Sequence, residues 1–563
     1  MNQSVSRVAD HLSDTLKRPI AYDGTATRVK TILFLIVCAA WLFPGLIGHD
    51  PWKPDEAVTF APVRHMLSSG EWIVPMLAGE PFLERGPLYF WVAALTSKLF
   101  GWLLPPHDAA RLATGVFMAT TLAFVSFAAR RLSGDRGERI GVLLFIGCIG
   151  LLIRAHEMNS DLAGLTGVAI AFYGLVLARE RRWAGGAWLG TGIGVAFLGD
   201  GALPTILLIA LAVALPALLA TWRTRNYAST CLAAAACAIP LMAFWPLLLF
   251  HISPQLPAQW LVAASGLRAP IVDSRPVLDG LGYFLRILPW HAWPALPLAA
   301  WAVWRARKNL AERDELRLPL VAFVVFFVML TLFGEARDVS ALPMLVPLTM
   351  LAVTEIDSLP RGAASALDWF GMTTFLLFGA VLWIGWYAVL TGVPEIAAQW
   401  VRKEIPGFTY GFHPASVALA AALTLVWVVV VARSLRNNRR AIVNWAAGIT
   451  MVWMLVMALG LPLIDQARSY RGMFASMMSA MPSSHLCIAS AGLGDPQRAL
   501  LDYFAGLRTY RLAHPNAQNC DLFLEQGPAA KPPAPPEGFR EIWRGARPGD
   551  RAELFRLYQR ATR

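Results

Sequence analysis

TILFLIVCAAWLFPGLIGHDPWKPDE, residues 31–56, runs from an unbroken apolar segment into a lysine, a proline and two adjacent carboxylates. An apolar run of this length spans a hydrocarbon layer of about 30 Å. Arg7, Lys17, Arg18, Arg28 and Lys30 precede it, which sets that end in the cytoplasm and directs the run (about 31–49) outward. The run begins too late for a cleavable signal, so it reads as a retained anchor. Asp55 and Glu56 therefore fall where the chain leaves the membrane on its outer side. Charged groups at that depth line a cavity or pair with something. Pro54 followed by two acids also suits the first turn of a helix, so function and capping weigh about evenly there.

The rest of the chain repeats this pattern. Of 563 residues, 56% are hydrophobic and 15% charged, where a soluble domain carries roughly 25% charge. Apolar runs recur near 107–128, 138–153, 161–178, 184–199, 202–221, 228–250, 285–304, 317–334, 340–356, 366–391, 413–432 and 441–462. With the first, that makes thirteen spans and places the two termini on opposite sides. Arginine-rich connectors alternate with poorer ones: Arg130, Arg131, Arg136 and Arg139, then Arg179, Arg181 and Arg182, then Arg433, Arg436, Arg439 and Arg440 fall on the cytoplasmic side. Residues 87–101 would invert this register as a full span, so they read as an interfacial helix. The net charge of +12 resides in connectors and forms no basic groove, which argues against nucleic acid as a partner.

The expected fold is thus an α-helical polytopic membrane protein of about thirteen transmembrane helices with a small C-terminal α/β domain. Residues 1–30 form a cytoplasmic segment and 31–463 the membrane domain, with a large periplasmic loop 50–106. Residues 464–563 form a periplasmic domain, the whole sitting in a bacterial inner membrane. In that tail His485–Ser490, Cys520–Glu525 and Phe539–Arg544 read as strands, 495–506 and 549–562 as amphipathic helices, and Lys531–Pro536 as a loop. Cys38, Cys148, Cys231 and Cys237 lie in apolar runs as packing residues. Cys487 and Cys520 are the pair in the polar tail, and an oxidising periplasm would permit a disulfide between them. No cysteine or histidine spacing suits a structural zinc site.

Several outer connectors carry the remaining polar residues. Glu84-Arg85 at the far end of the first loop offers a base or a phosphate clamp, with a surface ion pair as the plain alternative. Arg154-Ala-His156-Glu157-Met-Asn-Ser-Asp161 follows the third span, where Asp161 could equally cap a helix and a lone His156 is more often structural. Arg268 and Asp273, and Glu335-Ala-Arg337-Asp338, fall on the same side. Acids and arginines on one face suit an anionic lipid head and a hydroxyl nucleophile.

Together with Pro54-Asp55-Glu56, the motifs Gly70-Glu71-Trp72-Ile73-Val74-Pro75 and Phe82-Leu83-Glu84-Arg85-Gly86-Pro87-Leu88-Tyr89-Phe90-Trp91 resemble the C-type-fold membrane glycosyltransferases of the protein O-mannosyltransferase and lipid A aminoarabinose transferase superfamily. So do Asp161 opening a span and Leu342-Pro343 after Arg337. The resemblance covers roughly residues 30–360. It implies transfer of a sugar from polyprenyl (undecaprenyl) phosphate to a lipid A, glycan or protein acceptor at the periplasmic face, with inversion. On the same ground Asp55, Glu84 and Asp161 are candidate catalytic residues. Glu56, Arg85, Tyr89, His156, Glu157, Arg268 and Arg337 are candidate substrate-binding residues. The chain departs from the family where Ala57-Val58-Thr59-Phe60 follows Asp-Glu, where Glu84-Arg85-Gly86 replaces Glu-Lys-Pro, and where Ser340-Ala341-Leu342 lacks the usual tyrosine. Sugar and acceptor identity do not carry over. No cofactor is required by the motifs. A divalent cation beside the carboxylates is compatible with them, but arginines supply the same charge. The alternative is a lipid or sugar transporter, against which stand the missing internal repeat and the one-sided placement of the acids.

Overall fold

The computed structural model describes residues 24–263, 275–409, 411–434, 438–530 and 536–561. Helices occupy every one of the thirteen apolar segments. Among the described residues seven helices are long and apolar enough to cross a membrane on their own, among them Asp161–Ala178, Arg225–Ile252 and Arg361–Thr391, and others such as Ala202–Leu218 are shorter.

Helix ends follow local chemistry. The helix Gly24–Leu42 stops at Phe43-Pro44, so the expected run to residue 49 is too long. The segments 107–128 and 138–153 fall on two helices within Pro106–Ile146 that meet at a sharp kink at Gly134, whose φ of 71° is open to glycine and not to a helical L-residue, and beyond it a Cβ on Gly141 would stand 2.6 Å from that of Ala129. The segment 285–304 is cut at Pro294 into Arg275–His291 and Ala295–Ala306. Residues 88–100 are helical and lie against the first of these two helices, with Tyr89, Phe90, Ala93 and Ala94 buried.

The helix pair Asp161–Ala178 and Arg182–Asp200 packs backbone on backbone. A Cβ on Gly167 would stand 2.4 Å from the Ala196 nitrogen, and one on Gly192 2.4 Å from that of Ala171. Small residues on facing helices allow this approach and gain dispersion contact that lipid cannot supply. Its result is positional: Asp161, the first residue of one helix, and Asp200, the last of the other, come out at the same end.

Ion pairs test the connector register. Arg179 reaches Asp314 at 2.9 Å, and Arg131 pairs with Glu180, Arg313 with Glu355 and Arg439 with Asp357. By the alternation of the thirteen spans, all of these join connectors expected on the cytoplasmic side. Arg85 with Asp161, Arg154 with Asp55 and Arg337 with Asp55 join connectors assigned to the other side.

The tail forms a five-stranded sheet in the order β4-β3-β5-β7-β6, with β3 Ile488–Ala491, β4 Thr509–Arg511, β5 Leu522–Pro528, β6 Phe539–Gly545 and β7 Glu553–Arg560. The pairs β3/β4 and β3/β5 are parallel, and β7 runs antiparallel to β5 and β6. The helix Asp495–Ala505 lies where expected. The described residues 549–561 do not form the helix expected over 549–562. Leu554, Leu557 and Tyr558 have helical spacing, but the segment fills the gap between β5 and β6 as β7. There Phe555 and Leu557 face a core with Tyr470, Phe474, Leu522 and Leu524, while Tyr558 joins Ala489, Cys520 and Phe523 on the reverse side. Two-sided burial decided against the local pattern. Most of the Lys531–Pro536 loop lies outside the described residues. Cys487 and Cys520 are disulfide-bonded, with α-carbons 4.7 Å apart. Each stands just before one of two parallel strands whose register begins Ile488 opposite Leu522.

The tail domain sits on the first loop. Arg498, buried in its helix, holds both oxygens of Glu80 at 2.8 and 2.9 Å beside the small hairpin of β1 Met76–Leu77 and β2 Glu80–Pro81. Lys53 pairs with Glu553 and Arg471 with Asp50. Phe60 meets Tyr503 edge to face at 4.9 Å.

Candidate active site

Asp55 opens the helix Asp55–Ser69, and its neighbour Glu56 fixes it there. Glu56 is 1% exposed, accepts from Arg111 Nε at 2.7 Å, and accepts the backbone N–H groups of Trp52 and Met158, each at 3.0 Å. Arg111 is itself fully buried and also donates to Asp108 at 2.7 Å. Burial raises the Glu56 carboxyl, but Arg111 and His49 outweigh it and hold the group below the usual range. Glu56 is thus an internal tie joining the first loop to the 154–160 connector. Consecutive helical residues differ by about 100° in direction, so Asp55 points elsewhere.

Asp55 points into a cluster of arginines. Arg154 Nη1 donates to Asp55 Oδ2 at 2.8 Å and to Glu157 Oε2 at 3.0 Å, while its other nitrogens hold Asp338 at 2.9 and 3.2 Å. Arg337 Nη2 donates to Asp55 Oδ1 at 3.2 Å. Burial, then the negative charge of Asp161, lift the Asp55 carboxyl above its usual range against the pull of Arg154, Arg337 and Arg85. Burial, then Glu56, push Glu157 up to about 7, with Arg154 opposing.

Beside this cluster is a cavity of about 270 Å³. Glu84, Arg85, Asp161, Asp200, Glu335 and Arg337 form its polar side, and Leu165, Leu203, Leu207, Leu330 and Leu342 its apolar wall. Arg85 donates to Asp161 at 2.8 Å and also to Asp200. Gly86 makes that reach available, since a Cβ there would stand 2.1 Å from the Leu198 carbonyl oxygen. The Gly86 that departs from the family motif is therefore a close-approach residue. Glu84 is exposed and has no ion-pair or hydrogen-bond partner among the described residues.

Of the residues singled out in the sequence, Glu84, Arg85, Asp161 and Arg337 line this cavity, and Asp55 and Glu157 adjoin it through Arg337 and Arg154. Glu56, Tyr89 and His156 face inward. The Tyr89 hydroxyl meets Thr114 Oγ1 at 2.6 Å, and Thr114 donates to the Glu157 carbonyl at 2.9 Å. His156 is buried between Trp41 and Trp453, its Nε2 at 2.6 Å from the Trp41 carbonyl oxygen. These two support the 154–160 connector from beneath. Arg268 and Asp273 lie outside the described residues. Sequence reading passed over Asp200, although a lone carboxylate between two apolar runs on the outer side was a usable signal. Arg111 gave none, being one arginine inside an apolar helix. Among the described residues no group of three or more His, Cys, Asp or Glu side chains could hold a metal ion.

The family model described as dolichyl-phosphate-mannose-protein mannosyltransferase matches residues 84–250. Undecaprenyl phosphate-alpha-4-amino-4-deoxy-L-arabinose arabinosyl transferase of Edwardsiella ictaluri is 26% identical over 512 residues, covering 86% of this chain and 88% of that protein. The corresponding transferase 2 of Pseudomonas fluorescens is 28% identical over 371 residues, 63% of this chain and 64% of that protein. The crystal structure of ArnT from Cupriavidus metallidurans bound to undecaprenyl phosphate shares the fold, with a TM-score of 0.62 over 94% of this chain and 97% of that one at 15% identity. The chain thus shares its fold with this structure and is similar in sequence to these transferases and, over residues 84–250, to the mannosyltransferase family.

Proposed function

We propose that this protein transfers a sugar from a polyprenyl phosphate to an acceptor hydroxyl at the outer face of a bacterial inner membrane. The observation that carries the reading is the cavity in which Arg85 and Arg337 stand against a wall of leucines. A guanidinium pair suits a phosphate, and the apolar wall suits the first isoprene units. In the reaction the acceptor oxygen attacks the anomeric carbon, the bond from that carbon to the phosphate oxygen breaks, and its electron pair leaves on the phosphate. The acceptor proton passes to Asp55, and Arg85 and Arg337 neutralise the leaving phosphate. Attack opposite the leaving group inverts the anomeric centre. The relatives named as arabinosyl transferases support a pentose, an aminopentose above all, over a hexose. The orientation follows the connector arginines: N-terminus in the cytoplasm, tail in the periplasm.

A transporter would need its charged groups along a two-sided path near mid-membrane. Here Asp161 and Asp200 are terminal helix residues, and Asp55, Arg85 and Arg337 lie in or beside connectors at the same end. The test is transfer of radiolabelled sugar from synthetic undecaprenyl-phosphate sugars to envelope lipids and glycans by the purified protein. Release of undecaprenyl phosphate with labelled product supports the reading; movement of the intact donor across a vesicle membrane without cleavage refutes it.

A further inference from the structure

A second cavity, of about 360 Å³, opens between the β1/β2 hairpin, the helix Leu256–Ala263 and the tail domain. That volume lies within the roughly 300–1,000 Å³ of small-molecule sites. Its polar side is Glu80, Glu84, Gln259, Asp495 and Arg511, and Leu77, Pro81, Phe82 and Leu83 give it an apolar side. The charges are not equivalent. Glu80 is held by Arg498 and lies 3.3 Å from Arg511, which also binds Asp495. Glu84 is the carboxylate left without a partner among the described residues.

Glu84 and Ala263 line this cleft and the Arg85 cavity alike. The two spaces therefore meet at the Glu84 carboxylate, which borders the cavity of Arg85 and Arg337 on one side and a second polar chamber on the other. A chamber with fixed carboxylate acceptors, one guanidinium donor and a patch of carbon surface matches the alternating hydroxyl and C–H faces of a sugar ring. It lacks the continuous leucine wall of the first cavity, so it does not suit an acyl or isoprenyl chain. It is also built by two parts of the sequence, the first loop and the tail. This gives the tail domain a part in substrate recognition.

We infer that this cleft seats the sugar unit of a glycan acceptor, with Glu84 hydrogen-bonded to it at the passage into the donor cavity. The inference rests on the transfer reading above. Glu84 acts as a binding and positioning group, and the proton still goes to Asp55.

The test uses the full-length protein with one added cysteine, Gln259→Cys in the cleft or Ser340→Cys in the donor cavity. Alkylation of that site by a maleimide is timed by peptide mass spectrometry. The probes are undecaprenyl phosphate, lipid A, and the delipidated glycan of lipopolysaccharide. The delipidated glycan should slow labelling of Gln259→Cys on the order of tenfold, because a pocket ligand buries most of its surface. Undecaprenyl phosphate should leave that site open and protect Ser340→Cys. Adding Arg511→Ala should remove the glycan's protection and keep that at Ser340→Cys. The inference is overturned if the glycan gives no protection at Gln259→Cys, or if only lipid A or undecaprenyl phosphate does. If undecaprenyl phosphate fails at Ser340→Cys, the donor assignment falls instead, whatever happens in the cleft.

Discussion

Asp55 and Arg337, 282 residues apart in the chain, meet at 3.2 Å, and the same Arg337 lines the cavity that contains Arg85. One guanidinium thus stands between the carboxylate and the place proposed for the donor phosphate. The donor's phosphodiester carries one negative charge and would compete with the carboxylate for it. Donor binding would then draw Arg337 away and leave Asp55 freer to accept a proton. Binding and base activation become a single event.

If that is so, Asp55→Asn keeps the shape and removes the base. Transfer should fall by about 10²–10⁴, the usual worth of a positioned proton acceptor, while undecaprenyl phosphate affinity stays near wild type. Rate and donor affinity measured side by side check this. Near-normal transfer in Asp55→Asn, with loss in Glu84→Gln, would move the base to Glu84.

The acid limb of the rate profile offers a signed test. Asp55 must be ionised to act, so kcat/KM should fall as pH drops through its raised pKa. The charge of Asp161 raises that pKa and Arg337 lowers it. Asp161→Asn should therefore move the acid limb to lower pH, and Arg337→Ala should move it to higher pH. Shifts in one common direction, or none, would show that the limb reports another group.

Arg85 holds Asp161 and Asp200 as well as facing the cavity. A charge-assisted hydrogen bond to phosphate contributes about 1.5–3 kcal/mol, so Arg85→Ala should weaken undecaprenyl phosphate binding roughly 10- to 150-fold. Arg85→Lys keeps the charge without the fork and should lose less. Titration calorimetry in detergent distinguishes the two variants.

The Glu56–Arg111 pair belongs to stability. Removing one partner of a fully buried pair costs roughly 3–5 kcal/mol, because the other charge is stranded. Arg111→Met should lower the melting temperature sharply, and adding Glu56→Gln should restore part of it. If Arg111→Met changed donor affinity and left melting unaltered, the pair would belong to the site.

Cys487–Cys520 ties two strand starts. In the periplasm it should be oxidised in the isolated protein, and Cys487→Ser should destabilise the tail by about 2–4 kcal/mol, the usual effect of losing such a link. A reporter fused after the tail should be active in the periplasm. Activity only in the cytoplasm would invert the topology.

Much of this molecule was legible from local chemistry. Span limits such as 161–178 followed from the length of apolar runs, and the sorting of connectors into two groups from their arginines. Ion pairs then joined like with like. The polar residues at one end were visible because each interrupts or borders an apolar run. Glu56 and Asp55, adjacent and chemically alike, could not be told apart in role. Only the burial of Arg111 against Glu56 separates the carboxylate tied inward from the one that meets Arg154 and Arg337. Asp200 was invisible as a partner of Arg85 for the same reason.

The sequence by itself determined the membrane class, the helix register and the sorting of the connectors into two groups. Those depend on hydrophobic length and charge, which act over a few residues and need no partner. The tertiary structure decided which carboxylate meets which arginine, that residues 553–560 are a strand, and that two cavities share Glu84. Those depend on contacts between residues far apart in the chain, and no local preference of either partner encodes where the other will be.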